Sequence, residues 1–302
     1  MSRFTDEYKI KYEGCLKRVQ KPARYIGNEF GSVHKKWSDD MLTFAFCFPD
    51  VYEVGMSHLG MKILYHMLNE REDTVCERVF APWDDMEQEM RKEGIPLLSM
   101  ESYVPVKNFD FIGFTLQYEM SYSNIVNMLD LAGVPLRTAE RTAGDPFVCC
   151  GGPCAYHAEP LSDLVDFFIL GEGEEVNSEI MDVYKEWKNS GSTDRDDFLM
   201  SIIPLGGVYV PKFYDVEYND DNTISRFEPN REGVPKQVRK RIILNMDNTY
   251  VPKKLIVPFM ETVHDRIMLE LFRGCIRGCR FCQAGYIYRP VRERSVDKLV
   301  ET

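Results

Sequence analysis

The chain of 302 residues has room for about two domains at roughly 100 to 200 residues each, and its 44% hydrophobic content supplies ordinary cores. With 37 Lys and Arg against 48 Asp and Glu, the net charge of −11 disfavours a broad surface for nucleic acid or anionic membrane. No apolar run approaches the roughly 20 residues of a membrane span, and the start Met-Ser-Arg-Phe-Thr-Asp-Glu has no signal-peptide core, so the chain reads as cytoplasmic.

Residues 1–40 read as a polar and aromatic arm, irregular over 23–29. From residue 41 short apolar runs alternate with helical stretches. The pattern predicts strands at 41–48, 76–80, 109–116, 147–150 and 166–170, and helices at 55–68, 83–92, 121–131 and 174–188. Such alternation predicts an α/β fold with a doubly wound parallel sheet over 41–190. Ligands in that architecture sit beyond the carboxyl ends of the strands. Those ends carry Asp50, Tyr52, Gly55 and Ser57, then Thr115, then Gly151 and Gly152, then Gly171-Glu172-Gly173-Glu174-Glu175. The last segment reads as a glycine turn whose acids favour the first turn of a helix through its dipole.

Residues 191–262 read as a connector. It comprises a short helix at 194–203, a β-hairpin of 207–218 and 223–227 around Asn219-Asp220-Asp221-Asn222, and an extended linker with Pro235, Pro252 and Pro258. A strand-like segment at 263–271 opens a further domain over 263–302. Ser295 is placed to cap a helix starting near Val296.

Cys275, Cys279 and Cys282 form a Cys-x3-Cys-x2-Cys run directly after that segment. Three soft thiolates on one loop suit iron–sulfur ligation, and three ligands on a four-iron cubane leave one iron open for chemistry. Gly274 and Gly278 fit a loop that winds closely around such a group. A structural zinc site is the alternative, although no second Cys pair or nearby His follows Cys282. Cys149, Cys150 and Cys154 lack a third ligand at the right spacing and read as small buried residues of a strand. Nine Cys in a chain read as intracellular are expected as free thiols outside the cluster.

The Cys-x3-Cys-x-aromatic-Cys pattern, with Phe281 before the last Cys, resembles the radical S-adenosylmethionine (SAM) superfamily. The resemblance implies a [4Fe–4S] cluster whose open iron chelates SAM, reductive cleavage to a 5′-deoxyadenosyl radical, Phe281 against the adenine, and an electron donor such as flavodoxin or ferredoxin. The preceding sheet is similar to the cobalamin-binding domain found before the barrel in many such enzymes, a Rossmann-like fold. There the first loop reads Asp-x-His-x-x-Gly, whereas this chain has Asp50-x-Tyr52-x-x-Gly55. Tyr is a poor cobalt ligand. Any cobalamin is therefore expected to be held by shape and backbone around Ser57, Thr115 and Gly151-Gly152, or the domain keeps the fold without the cofactor. His58 reads as a helix-face residue and His157 as a solvated loop residue.

A (β/α) barrel takes about 200 residues or more. This chain ends 20 residues after Cys282, so the barrel is expected to be truncated and to continue in a separate or missing segment. Arg273, Arg277, Arg280, Arg289, Arg292 and Arg294 crowd the Cys loop and are expected to answer the charge of thiolates, cluster and SAM carboxylate; an RNA substrate is a weaker reading of the same run. The leading expectation is a radical SAM enzyme of an uncharacterised branch acting on an unknown substrate, with RNA modification and methyl or methylthio transfer among its reactions. The alternative is a non-catalytic corrinoid- or partner-binding module with a structural or electron-transfer cluster.

Overall fold

The computed structural model describes residues 6–38 and 40–302, so residues 1–5 and 39 of the expected arm lie outside the described residues. One sheet organises the molecule. Its strands are β1 (Leu42–Phe48), β2 (Thr74–Phe80), β3 (Phe111–Thr115), β4 (Phe147–Gly151), β5 (Phe167–Ile169) and β6 (Val208–Tyr209), in the order β2-β1-β3-β4-β5-β6. The first five are parallel and β6 is antiparallel to β5. β1 and β2 are buried at every position, as a sheet covered on both faces requires, which is why Leu-Thr-Phe-Ala-Phe-Cys-Phe reads as one apolar run. The architecture is that of a Rossmann-like α/β domain, with the order of strands reversing between β1 and β3.

The helices are α1 (Asp6–Cys15), α2 (Tyr52–Gly55), α3 (Leu59–Glu70), α4 (Asp84–Glu93), α5 (Tyr122–Ala132), α6 (Gly173–Asn189) and α7 (Arg195–Ile202). α4 and α5 lie side by side, joined by Arg91 to Asn127 at 2.9 Å. α3 and α6 cover the opposite face, joined by Arg71 to Asp182 at 2.5 Å. On that face the amino half of the sheet is filled with rings: Phe111 stacks edge-on to Tyr184 at 4.6 Å, and Phe147 meets Phe198 at 4.5 Å and Trp187 at 5.8 Å. The arm contributes to the core as well. Glu29 and Glu101 hold the fully buried Arg78 guanidinium from two sides, each at 2.6 Å.

Four sequence expectations are corrected. The helix expected over 55–68 is two helices, because His58 takes an extended backbone and its Nδ1 accepts the Met61 amide at 3.1 Å, making it the N-cap of α3. The hairpin expected from 207 starts later. Val208 and Tyr209 join the main sheet beside β5, and Pro211, which has no N–H to continue a ladder, turns the chain into β7 (Tyr214–Tyr218) and β8 (Ile224–Pro229). The proline-containing linker packs onto the sheet layer, with Ile243, Met246 and Ile256 buried and Arg241 bridged to Gly171. The strand expected over 263–271 has no ladder partner among the described residues. Pairing begins only at β9 (Phe272–Arg273), antiparallel to β10 (Arg292–Glu293), because an extended backbone becomes a strand only beside another. α8 (Ala284–Ile287) follows the Cys loop, and Ser295 caps α9 (Val296–Glu301) by accepting the Lys298 amide at 3.2 Å. Among the described residues no helix is long and apolar enough to cross a membrane.

Candidate functional site

Past the rings, the same sheet face is hollow. A cavity of about 420 Å³ lies over the carboxyl halves of β1, β3 and β4. Register explains it: Phe46, Gly113 and Cys149 form one row across the sheet, and Thr115 and Gly151 pair two residues further on. Two of these five positions carry no side chain, and Phe44 leans its ring over Gly113. At the rim Gly152 holds φ +102°, and a Cβ there would stand 2.7 Å from the Leu116 carbonyl oxygen, so only glycine lets the loop after β4 approach the loop after β3. The starts of α3 and α6 wall the cavity with His58, Leu64 and Asn177. Its roof is the chain leading into and out of the Cys loop: Glu270, Phe272, Arg273, Gly274 and Tyr288.

The roof is an ion network. Arg273 pairs with Glu270 at 2.8 Å and Glu174 at 2.7 Å, Arg292 with Glu172 at 2.6 Å, and Arg294 with Glu270 at 3.2 Å. Burial alone would lower the pKa of Arg273, but the Glu270 and Glu174 carboxylates outweigh it and raise it. Burial likewise works to raise the pKa of Glu270, and Arg273 and Arg294 bring it below the usual carboxylate range. The acids of 171–175 thus do more than begin a helix: two of them, Glu172 and Glu174, tie the Cys-loop segment to the sheet. Inside the cavity, burial lowers the pKa of His58, against a hydrogen bond with Gln117, so its imidazole is neutral at neutral pH. Gln117 in turn donates to the Thr115 hydroxyl at 2.6 Å.

Of the crevice residues expected from sequence, Thr115, Gly151 and Gly152 line the cavity. Asp50, Tyr52, Gly55 and Ser57 do not. Tyr52 is buried, donating its phenol proton to Glu29 at 2.8 Å; burial and that carboxylate push its pKa well above the normal phenol value. Asp50 accepts from the Val51 amide and the Tyr118 hydroxyl, Gly55 packs beneath Phe80 and Phe48, and Ser57 bridges the Glu53 carbonyl and the His264 amide. His58 is the cavity's imidazole, which its expected place on a helix face concealed. Arg273 and Tyr288 had no local signal for this role.

The Cys loop is wound tightly and left open. Gly274 holds φ +112°, where a Cβ would stand 2.5 Å from the Pro290 carbonyl oxygen, and Gly285 lies against the Arg277 carbonyl. The Cys275 amide donates to the Tyr288 carbonyl at 2.7 Å and the Cys282 amide to the Cys279 carbonyl at 3.1 Å. Cys275 and Cys282 are partly buried and Cys279 is exposed, while Gly278 has no neighbour near its α-carbon and the Phe281 ring is 94% exposed. Among the described residues no three His, Cys, Asp or Glu side chains already converge in metal-holding geometry. The donor set nonetheless fits an iron–sulfur group: three soft thiols within eight residues of one loop, none of them fully buried.

The six arginines divide, which corrects the expectation that all answer cluster charge. Arg273, Arg292 and Arg294 are engaged by carboxylates, and Arg289 donates to the Gly285 carbonyl at 2.5 Å. Arg277 and Arg280 are exposed. His157 is solvent-exposed as expected and also has polar neighbours: Nδ1 lies 3.2 Å from a Glu119 oxygen and Nε2 lies 3.3 Å from the Gln283 amide, next to Cys282. Cys149 and Cys150 are buried, and their thiol pKa values are raised by desolvation.

No solved structure matches the chain. It is 24% identical over 257 residues to an uncharacterized protein of Methanocaldococcus jannaschii, an alignment covering 85% of this chain and 44% of that protein, so the chain spans less than half the length of this curated relative. The family described as radical SAM proteins, N-terminal, matches residues 60–211, from the first turn of α3 to the turn before β7. That match spans just over half of the 302 residues, and the chain belongs to this family.

Proposed function

We propose that this chain works in a radical SAM enzyme, with Cys275, Cys279 and Cys282 as the protein ligands of a [4Fe–4S] cluster. The observation that carries the reading is the Cys-x3-Cys-x-Phe-Cys run on an open loop anchored to a family-matched sheet domain. When bound, such a cluster supplies the electron that cleaves SAM reductively and so starts radical chemistry on a substrate. The chain's own residues hold and orient. Phe281 offers a free ring face to an adenine. Arg277 and Arg280 offer exposed cations to a carboxylate. Glu172, Glu174 and Glu270 fix the loop's base through the arginines they pair with. A small redox protein such as flavodoxin or ferredoxin supplies the electron. With Arg273, Arg292 and Arg294 already engaged, the loop offers RNA little free cationic surface.

The sheet domain is read as keeping its fold without a corrinoid. Tyr52 is turned into the Glu29 and Arg78 network, and a cavity of about 420 Å³ suits a drug-sized molecule, not a corrin with its nucleotide. Anaerobic reconstitution with iron and sulfide, then SAM and a reductant, tests the proposal. The expected outcome is about four irons per chain, lost in each of Cys275→Ala, Cys279→Ala and Cys282→Ala and retained in Cys149→Ala and Cys150→Ala. SAM should yield 5′-deoxyadenosine in a version as long as the relative. One zinc per chain under ample iron, or iron retained by Cys279→Ala, would sink the ligand assignment.

A further inference from the structure

The cavity over Gly113 and Gly151 has no part in the chemistry proposed above, yet three features say what it accepts. Its volume of about 420 Å³ falls within the roughly 300 to 1,000 Å³ of small-molecule pockets. Its walls are ring-rich: Phe44 and Phe46 from the floor, Phe272 and Tyr288 from the roof, so a flat ring finds faces and edges to stack on. Its charge is balanced. The three roof carboxylates, Glu172, Glu174 and Glu270, are matched by the guanidiniums of Arg273, Arg292 and Arg294, and the imidazole of His58 is neutral. A charged ligand would lose its hydration in a site whose own charges are already paired, a cost that a neutral ligand does not meet. Thr115, Gln117 and Asn177 remain to orient polar substituents.

The roof is also both ends of the Cys loop. Phe272, Arg273 and Gly274 run directly into Cys275, and Tyr288, which lines the cavity, accepts the Cys275 amide at 2.7 Å through its carbonyl. A molecule packed against Phe272 and Tyr288 therefore holds the strand entering the loop and the turn leaving it. We infer that the cavity binds an uncharged small molecule bearing an aromatic ring, and that its occupancy fixes the Cys275 loop between Phe272 and Tyr288. The functional weight of that coupling rests on the loop being the cluster holder; the binding does not. A ligand in the cavity would then be sensed at the cluster through the shared strand.

The experiment uses the full chain in reducing buffer, with indole as the neutral probe and indole-3-acetate as its charged counterpart. Ligand-observed NMR should show saturable indole binding and binding of indole-3-acetate weaker by about tenfold or more. Nuclear Overhauser contacts should run from indole to the Thr115 methyl group. Gly151→Leu should abolish binding, since a Cβ at that position meets nothing closer than the Ile169 carbonyl oxygen at 3.8 Å and the longer side chain enters the cavity. Hydrogen exchange of the Cys275 amide should slow by about tenfold when indole is present at about ten times its dissociation constant, while exchange in β7 and β8 is unchanged. Equal binding of both probes, Overhauser contacts elsewhere than the cavity, or unaltered Cys275 exchange with indole bound would overturn the inference. The Overhauser contacts are read in the unaltered chain, so they decide the case even if Gly151→Leu fails to fold. Failure of iron binding in the reconstitution leaves the indole result standing, and the reverse holds as well.

Discussion

The two ends of one sheet face are built from the same register and come to opposite results. At the amino end Phe111 and Phe147 sit opposite each other in neighbouring strands, and Tyr184, Trp187 and Phe198 descend on them from α6 and α7, leaving interlocked rings. Two and four residues further along the same strands stand Gly113, Thr115, Cys149 and Gly151, and the face opens into a cavity. Backbone geometry is alike at both ends. Side-chain volume alone makes one a stabilising core and the other a candidate binding site, which is a reason for ligand sites of doubly wound sheets to lie at carboxyl ends.

The largest expected effect breaks the filled end. Phe147→Ala should cost about 3 to 5 kcal/mol in chemical denaturation, because four aromatic neighbours cannot collapse into the void. A cost near that of a surface substitution would show that the ring cluster is not the structural half of the comparison.

A smaller effect, read through pH, belongs to a buried acid outside the ring cluster. On β2, at the sheet's outer edge, Glu77 accepts from Trp37 and Ser102; burial first, and then the Glu101 carboxylate, raise its pKa to about 7. Between its ordinary value near 4.5 and 7 the folded chain keeps a proton that the unfolded chain has released. Stability from this group is therefore present below about pH 4.5 and is lost as pH rises to 7, by about 3 kcal/mol in all. His66 runs the other way. Burial lowers its pKa to about 4, so stability falls as pH drops from about 6.5 to 4. The two slopes oppose each other in the unaltered chain. Glu77→Gln should uncover the His66 decline in acid and gain relative stability at pH 8, read by urea unfolding at pH 5 and 8; an unchanged pH profile would remove Glu77 from the account.

The smallest effect belongs to the open end. Gly151→Ala adds a methyl group in ordinary van der Waals contact with Ile169, at 3.8 Å from its carbonyl oxygen, on an ordinary strand backbone, and should be neutral or stabilise by about 0.5 kcal/mol. A loss above about 1 kcal/mol would mean that the cavity is closed in solution.

The elements of the sheet domain were legible because their signals are local. β1 is a run of apolar residues broken only by Thr43, α5 and α6 repeat at helical spacing, and Cys275-x3-Cys279-x-Phe281-Cys282 needs no neighbours to be noticed. Apart from the local cap that His58 makes to Met61, the misread places turned on partners distant in sequence. Val208 and Tyr209 pair with β5 and not with β8, residues 263–271 have no ladder partner among the described residues, and Tyr52 turns to Glu29, 23 residues earlier. The arginine run looked like a response to bound charge, yet three of its members are matched to Glu172, Glu174 and Glu270, the first two about 100 residues upstream of the arginines that hold them.

The alternation of strands and helices and the loop with three thiols and an aromatic neighbour are written in the chain because periodicity and spacing act over a few residues, and the acidic balance that argues against a broad nucleic-acid surface is a plain sum over residues. Tertiary packing set the rest: glycines from β3 and β4 share one sheet face two positions apart in register and open a cavity, His58 and Gln117 face into it, and Phe272 and Tyr288 line it beside the Cys loop. The physical reason is that a void, like an ion network, belongs to no single segment. It exists where several segments fail to fill the same space, and that is settled by the register of strands and the packing of helices over them.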